Sequence, residues 1–170
     1  ETVNKKTRKN LRNAMSRLKR RIDVQSLVTH DKVQISKLIS TTLSGRLEWM
    51  HEYGRSSPAF RDRDFRHLLE SLNKCEEIDL LGFSLASNNE SIATQWGFSY
   101  LGRYYAYLSA RNLRFDEFSP GRLHLGMVIE ACKARGVEAL VPAAEAAAGE
   151  RVRLRDVFCL GLYRVGPNAR

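Results

Sequence analysis

The chain has 170 residues, 43% of them hydrophobic and 28% charged, a composition that is typical of one folded domain. Its net charge of +9 is concentrated at one end. Nine basic residues and one acidic residue fall within residues 1–21, which leaves a net charge of +1 for residues 22–170. No apolar run approaches the ~18 residues of a membrane span, so the sequence predicts neither a transmembrane segment nor a signal peptide.

The three cysteines, Cys75, Cys132 and Cys159, are widely separated and lie in apolar surroundings. Their spacing fits neither a metal site nor a disulfide framework, so we expect buried thiols and no bound metal. Thiols of this kind indicate a reducing compartment and predict a cytoplasmic protein. Because the chain begins at Glu1 rather than at Met, we expect it to be a segment of a longer protein.

Residues 1–21 are predicted to form a basic amphipathic helix that leads into a domain over residues 22–170. Apolar residues recur along one side of this helix: Leu11, Met15, Leu18 and Ile22. The cations of residues 5–21 would bind a phosphate-rich partner, such as tRNA or an anionic membrane surface. The alternative is a solvated helix face that follows an upstream domain, since no aromatic residues are interleaved for stacking on bases.

A short strand over residues 23–29 and two helical regions follow. Asp31 is placed to cap a long helix, which Gly45 is expected to interrupt. Its apolar stripe is Val33, Ile35, Leu38, Ile39, Leu43 and Leu47. Ser57 and Pro58 begin the next helical region. Its core positions are Phe65, Leu68, Leu69 and Leu72.

Three strands joined by hairpins are predicted next. The apolar alternation changes phase near Leu80, which indicates a bulge there. Residues 87–90 (Ser-Asn-Asn-Glu) and the Leu101-Gly102 pair are predicted to be the two turns. In the third strand, alternate residues are predicted to share one face: Tyr104, Ala106, Leu108 and Ala110.

The segment after the third strand has the pattern of a phosphate-binding corner. Ser119 is a suitable N-cap and Pro120 a suitable first residue for a helix, which Gly136 would end. A helix N-terminus that follows a strand presents N–H groups and a positive dipole end to an anion. Gly121 has no side chain, so a pyrophosphate could approach the backbone closely. A strand over residues 137–141, a short helix over 142–148 and one or two closing strands complete the prediction.

This order of elements resembles the acyl-CoA N-acyltransferases of the GNAT type. Residues 85–141 are similar to the CelD/BcsL-like acetyltransferases associated with bacterial cellulose and exopolysaccharide biosynthesis, which are relatives of the FemAB-type transferases. The matching segments are Ile92-Ala93, residues 104–110 and residues 119–121. The basic helix resembles one that precedes the second lobe in that family. The resemblance implies an α/β fold, a three-layer sandwich with a mixed central sheet, and an upstream lobe of the same protein.

The resemblance also implies transfer of an acyl group from acetyl-CoA, or another acyl-CoA, to a saccharide or amine acceptor. The pantetheine arm would extend along the third strand at Ser109, Ala110 and Arg111. The pyrophosphate would bind beside Ser119, at the backbone N–H groups of Gly121, Arg122 and Leu123, and the Arg122 guanidinium would add charge.

Acyl transfer needs a base and a proton donor. Glu90 and His124 are the candidates for the base, and Tyr107 is the candidate for the proton donor.

Three departures from the family pattern concern polar groups. Asn112 and Ala139 replace aspartates, and Ala146-Ala147 stands where a Tyr-Lys pair is expected. We therefore expect this segment to bind acyl-CoA weakly and to transfer acyl groups slowly or not at all. Two alternatives follow from the resemblance: a Fem-like transferase that draws aminoacyl groups from tRNA, and a lobe that has lost catalysis and serves as a binding or structural half.

Overall fold

The computed structural model describes residues 5–142, and it describes side chains from Lys9 to Val141. The elements in chain order are α1 (Lys5–Arg21), β1 (Gln25–Thr29), α2 (Lys32–Glu52), α3 (Pro58–Arg61), α4 (Arg63–Leu72), β2 (Leu80–Ser87), β3 (Glu90–Tyr100), β4 (Arg103–Arg111), a 3-10 helix (Leu113–Phe118), α5 (Pro120–Ala134) and β5 (Ala139–Pro142). Pro142, the predicted first residue of a short helix, is instead the last residue of β5. The rest of that predicted helix (143–148, with the Ala146-Ala147 pair), the closing strands and Cys159 lie outside the described residues.

The described strands form one sheet in the order β1-β2-β3-β4-β5. Neighbouring strands are antiparallel from β1 to β4, whereas β5 is parallel to β4. The parallel pair requires a crossover, and the 3-10 helix and α5 supply it. This arrangement confirms the predicted α/β fold with a mixed central sheet.

Helices cover both faces of the sheet and give three layers. On one face, α2 and α4 pack against the sheet through Ile35, Leu38, Ile39, Leu43, Leu69, Leu80 and Trp96. On the other face, α1 and α5 pack through a second set of buried residues: Leu18, Leu81, Phe83, Leu85, Ile92, Leu123 and Val128. Burial of these side chains is the main force that holds the helices on the sheet.

Helix α1 is packed against the rest of the domain rather than standing apart from it. Leu18 is fully buried, and Leu11, Met15 and Ile22 pack around it, as their spacing predicted. The basic side chains from Lys9 onward are exposed. The helix is therefore held by its apolar side, while its charged side faces solvent.

The turns and caps follow their sequence signals. Asn88 and Asn89 have φ values of 47° and 66°, the positive values that a two-residue hairpin turn favours. Leu101 and Gly102, with φ values of 48° and 70°, make the next turn as predicted. The Asp31 side chain accepts a hydrogen bond from the Gln34 N–H at 2.9 Å, which confirms the cap of α2.

Several details of the predicted helices are wrong. Helix α2 continues through Gly45 without interruption. This glycine does not end the helix but lies where α2 comes close to the sheet. Val33 is 78% exposed and Leu68 is 53% exposed, so neither belongs to the core. Each lies at the edge of an apolar stripe, on the part of the helix that turns away from the sheet.

The predicted bulge near Leu80 is also misplaced. Pairing of β2 with β3 shifts instead between Leu85 and Ala86, where Ile92 is the additional residue of β3. A second shift lies between β3 and β4, because Trp96 pairs with Leu108 while Gly97 pairs with Ala106. In this second bulge, Tyr107 is the additional residue.

The bulge at Tyr107 overturns the predicted common face of β4. Tyr104 and Ala106 pack on the α5 side of the sheet, whereas Leu108 packs on the α2 side. Strict alternation assumes a regular ladder, and one additional residue reverses every side chain beyond it. Gly97 permits the close approach of the two strands, since a Cβ there would overlap the Tyr105 carbonyl oxygen.

Candidate functional site

The end of β4 has an unpaired edge. Strand β5 pairs with β4 only from Arg103 to Ala106. Strand β4 continues to Arg111, so within residues 5–142 its last five residues have no strand on that side. Unpaired N–H and C=O groups on a strand edge can bind an extended ligand as an added strand.

A cleft of about 390 Å³ lies beside this part of β4. Helix α2 contributes one wall, with Ser40, Thr41, Ser44, Gly45 and Glu48. The sheet contributes the other wall, with Ser91, Thr94, Ala110, Arg111 and Asn112. The volume lies within the range of ~300–1,000 Å³ that is usual for small-molecule sites, and most of the lining residues carry a polar or charged side chain.

The α2 wall of the cleft results from a polar stripe at helical spacing. Ser40, Ser44 and Glu48 follow one another at intervals of four residues, so they share one face of the helix. This stripe is the signal that the sequence analysis missed. The repeat of small hydroxyl residues along this helix is visible in the sequence, but only the fold shows that it faces the end of β4.

The polar groups at the sheet wall are held by one another. The Arg111 guanidinium forms an ion pair with Asp116 of the 3-10 helix. The Asn112 amide donates to the Glu90 carboxylate at 3.1 Å and to the Ser91 carbonyl at 3.0 Å. Arg114 donates to the same Glu90 carboxylate at 2.8 Å. Glu90 therefore fixes the corner between β4 and the 3-10 helix, a placement that favours positioning over proton transfer.

Tyr107 lies where the strand bulges. Its ring is tilted against Trp96 and edge-on to Phe98, with centroids 5.0 and 5.5 Å apart. Partial burial raises the pKa of the Tyr107 hydroxyl, so the group stays protonated well above neutral pH. A protonated phenol near a reacting thioester is a suitable proton donor.

His124 occupies a different place from the one expected of a base. This residue of α5 is buried, with only 3% of its surface exposed. Burial lowers the pKa of its imidazole to about 4, although a hydrogen bond with the Phe83 backbone acts in the opposite direction. Its Nε2 atom has no hydrogen-bond partner within residues 5–142. A ring enclosed in this way does not reach an acceptor in the cleft, so its placement speaks against a role as base.

The corner before α5 has an unusual backbone. Ser119 is the N-cap and Pro120 is the first helical residue, as predicted, but Ser119 adopts the left-handed conformation with φ 52° and its side chain makes no cap. Its carbonyl accepts hydrogen bonds from the Arg122 and Leu123 N–H groups at 3.0 and 3.3 Å. Three backbone amides were predicted to bind a pyrophosphate. Two of them already donate to the Ser119 carbonyl, and only the Gly121 N–H does not. Leu123 itself is a core residue, 3% exposed.

The structure brings only part of the predicted site together. Ala110 and Arg111 line the cleft, and Ser109 lies on the same unpaired stretch of β4 as Tyr107. The predicted phosphate corner lies at the start of α5, beyond the 3-10 helix.

Residues 5–142 contain no cluster of His, Cys, Asp and Glu that could hold a metal ion. Among these residues, no helix combines the length and the apolar character that a membrane crossing requires.

A mixed sheet with four antiparallel strands, a bulge in β4 and a fifth strand parallel to β4 defines the class as an acyl-CoA N-acyltransferase fold. The profile of the acetyltransferase (GNAT) domain matches residues 5–142. The chain therefore belongs to the acetyltransferase (GNAT) family, whose acyl-donor substrate is acyl-CoA. No curated protein matches the chain. The more specific CelD/BcsL-like and FemAB relationships remain predictions.

Solved structures show similar folds at low sequence identity. A conserved protein of unknown function from Bacteroides thetaiotaomicron VPI-5482 has a TM-score of 0.51 and 15% identity over 74% of this chain. The chain spans 41% of the length of that protein.

Two further structures are more distant. An aminoglycoside acetyltransferase from an uncultured soil metagenomic sample, solved with sisomicin, has a TM-score of 0.47 and 14% identity over 74% of this chain and 82% of its own. The PaiA N-acetyltransferase of Thermoplasma acidophilum, solved with coenzyme A, has a TM-score of 0.46 and 11% identity over 66% of this chain and 75% of its own. At these identities, the comparison with the Bacteroides protein concerns the fold alone, and the other two carry no argument about the site.

Proposed function

We propose that this chain transfers an acyl group, most simply acetyl, from acyl-CoA to a saccharide or amine acceptor. One observation carries the proposal: the end of β4, which has no partner strand beyond Ala106 in the described part of the chain, lies directly beside a cleft of small-molecule size. A thioester held along that strand would present its carbonyl carbon to an acceptor in the cleft. The two reactants would then be held in one fixed orientation. In direct group transfer, this positioning lowers the activation free energy because the reactants no longer have to find each other in solution.

The donor would be held mostly by backbone groups. The amides of the pantetheine arm would pair with the edge of β4 from Tyr107 to Arg111, as an added strand does. The pyrophosphate would bind at the start of α5, where the helix dipole, the Gly121 N–H and the Arg122 side chain favour negative charge. Such contacts survive changes of neighbouring side chains, so the Asn112 and Ala139 departures do not remove them.

The chemistry needs few protein groups. The acceptor attacks the thioester carbonyl and releases its proton, the C–S bond breaks, and the departing thiolate receives a proton. The protonated hydroxyl of Tyr107 would supply that proton. Glu90, held by Arg114 and Asn112, would keep the end of β4 in place. The Arg111 guanidinium, paired with Asp116, would do the same from the other side.

Calorimetric titration with acetyl-CoA, followed by mass spectrometry of a panel of sugars, amines and amino sugars, tests this proposal. We expect saturable acetyl-CoA binding and an acetylated acceptor. A folded protein that binds no acetyl-CoA would contradict it. From the resemblance to CelD/BcsL-like acetyltransferases, we further propose a place in bacterial exopolysaccharide biosynthesis, in the cytoplasm and beside an upstream lobe of the same protein.

A second candidate function is suggested by the exposed cations of α1, whose apolar side is packed on the domain. A Fem-like transferase would use such a surface to hold an aminoacyl-tRNA. Titration with tRNA against acetyl-CoA separates the two functions. Binding of tRNA without binding of acetyl-CoA would favour the Fem-like transferase, and binding of neither would favour a structural lobe.

A further inference from the structure

Two of the three hydroxyls on the α2 wall of the cleft donate their hydrogens within the helix. The Ser40 hydroxyl donates to the Ser36 carbonyl at 3.2 Å, and the Thr41 hydroxyl donates to the Lys37 carbonyl at 2.8 Å. A hydroxyl has one hydrogen and two lone pairs, so these side chains leave only acceptor capacity for a ligand.

The sheet wall has the same character. The Thr42 hydroxyl donates to the Leu38 carbonyl at 2.7 Å, so the Thr94 hydroxyl, 2.9 Å from it, donates to Thr42 and keeps its own lone pairs. Both hydrogens of the Asn112 amide are used within the protein, and the Arg111 guanidinium is paired with Asp116. The Ser40, Thr41 and Thr94 hydroxyls therefore offer lone pairs to a ligand. The Ser44 and Ser91 hydroxyls make no hydrogen bond within the described residues and can donate as well as accept.

Glu48 supplies the one carboxylate among the residues that line the cleft. Its side chain is exposed, and within residues 5–142 it takes part in no ion pair or hydrogen bond. An unpaired carboxylate surrounded by hydroxyl oxygens is complementary to a cation that carries several N–H groups.

We propose that the acceptor is a primary amine on a hydroxyl-bearing scaffold, an amino sugar in chemical class, and that Glu48 binds its ammonium group. The inference rests on the proposed acyl transfer and names the acceptor class of that site. The ammonium provides three N–H donors and the scaffold provides O–H donors, which match the acceptors that α2 and Thr94 present. A neutral sugar would satisfy the hydroxyl oxygens but would leave the carboxylate without a partner.

The reaction balances with Glu48 as the proton acceptor. The bound ammonium first releases one proton to solvent, and the neutral amine stays hydrogen-bonded to Glu48. As the N–C bond forms and the C–S bond breaks, the second proton passes from nitrogen to the Glu48 carboxylate. The thiolate takes a proton from the Tyr107 hydroxyl. Solvent then reprotonates Tyr107, and Glu48 releases its proton to solvent. The products are the N-acylated amine, free CoA and one proton.

The test compares three small acceptors with acetyl-CoA: glucosamine, glucose and cyclohexylamine. Glucosamine carries both an amine and hydroxyls, whereas each of the others lacks one of them. We expect kcat/KM to be at least about 10-fold higher for glucosamine than for either of the others, because an acceptor that lacks a paired group leaves a polar atom of the site unsatisfied. Equal or greater transfer to glucose would overturn the inference while leaving the acyltransferase proposal intact.

The Glu48→Gln variant tests the residue itself, with Glu52→Gln on the same helix as the matched control. Glu48→Gln should lower kcat/KM for glucosamine at least about 100-fold, within the range of general-base effects, and should leave the dissociation constant for acetyl-CoA unchanged. Glu52→Gln should change neither quantity.

If turnover is too slow to follow, binding of glucosamine to the CoA-loaded protein is measured by NMR. Binding that is absent, or that is equal in the native protein and Glu48→Gln, would overturn the inference, whereas loss of acetyl-CoA binding in the native protein would count against the proposed function.

Discussion

Gly45 on α2 faces Ala110 on β4 so closely that a Cβ added to the glycine would lie 3.1 Å from the Ala110 Cβ. Both residues line the cleft, so this contact sets its inner width. The glycine is retained in the middle of a continuous helix, where alanine would be favoured by ~1 kcal/mol on propensity alone. We attribute the presence of glycine at this position to the close approach of α2 to β4.

The Gly45→Val variant should narrow the cleft. The isopropyl group added between α2 and β4 is expected to raise the acceptor KM by about 10-fold or more, consistent with ~1.4 kcal/mol of lost binding, while acetyl-CoA binding is retained. Gly45→Ala serves as the control, since its gain in helix propensity opposes the tight contact and should leave the unfolding free energy within ~1 kcal/mol of the native value. Unchanged acceptor kinetics in a folded Gly45→Val protein would show that the acceptor binds elsewhere.

The bulge at Tyr107 depends on Gly97 of the neighbouring strand. A Cβ at Gly97 would overlap the carbonyl oxygen of Tyr105, and backbone atoms cannot move aside as a flexible side chain can. We expect Gly97→Ala to lower the free energy of unfolding by ~2 kcal/mol or more, which urea denaturation would measure. Gly126→Ala is a suitable control, because its Cβ would meet only the tip of Leu11 at 3.4 Å. Equal stability of the two variants would mean that the bulge tolerates a side chain.

The sequence predicted the order of elements well because each element has a local signal. The cap at Asp31, the asparagine turn and the Ser-Pro start of α5 all act within a few residues, and the structure contains each of them. Apolar periodicity likewise identified the core faces of the helices. These features need no knowledge of distant contacts.

The cleft could not be predicted in the same way. A bulge changes the face of a strand without changing its composition, so the alternation in β4 gave no warning that Leu108 would turn toward α2. Glu48 lines the cleft only because α2 lies beside the end of β4. His124 looked available at the start of a helix, yet the packing of α5 on the sheet encloses it.

The buried His124 should make stability depend on pH. Its pKa is about 4 in the folded chain against an ordinary 6.5, so between these values the unfolded chain binds more protons. The free energy of unfolding should therefore fall as pH falls below 6.5, with a contribution of ~2 kcal/mol lost by pH 5. His124→Leu should remove that part of the pH dependence, as urea denaturation of both proteins at pH 7.5 and pH 5 would show. An identical loss of stability in the two proteins would assign the pH dependence to other groups.

The cations of α1 should give any polyanion binding a steep dependence on salt. Deleting the helix is a poor test because Leu18 is fully buried. Charge-neutralising substitutions on its exposed side are cleaner: Lys9→Gln, Arg12→Gln and Lys19→Gln. If these residues contact phosphates, the slope of log K against log salt should fall by about two to three.

The matched control for α1 neutralises three exposed cations elsewhere: Arg61→Gln, Arg63→Gln and Lys74→Gln. Both triple variants have the same net charge, so a difference in heparin affinity chromatography would report position rather than total charge. Equal retention of the two variants would show that the charge of α1 forms no binding surface of its own.

The start of α5 offers the most direct test of where the donor binds. Gly121 has helical backbone geometry rather than a positive φ, and valine has a higher helix propensity than glycine, so valine there should not destabilise the helix through its backbone. The same side chain would occupy the space in which a pyrophosphate meets the Gly121 N–H. We therefore expect Gly121→Val to fold normally and to bind acetyl-CoA at least about 10-fold more weakly, whereas Gly126→Ala, further along the same helix, keeps its affinity. Isothermal titration calorimetry measures both variants, with circular dichroism to establish that each is folded. Undiminished affinity in a folded Gly121→Val protein would remove this corner from the site and leave the edge of β4 as the main support of the donor.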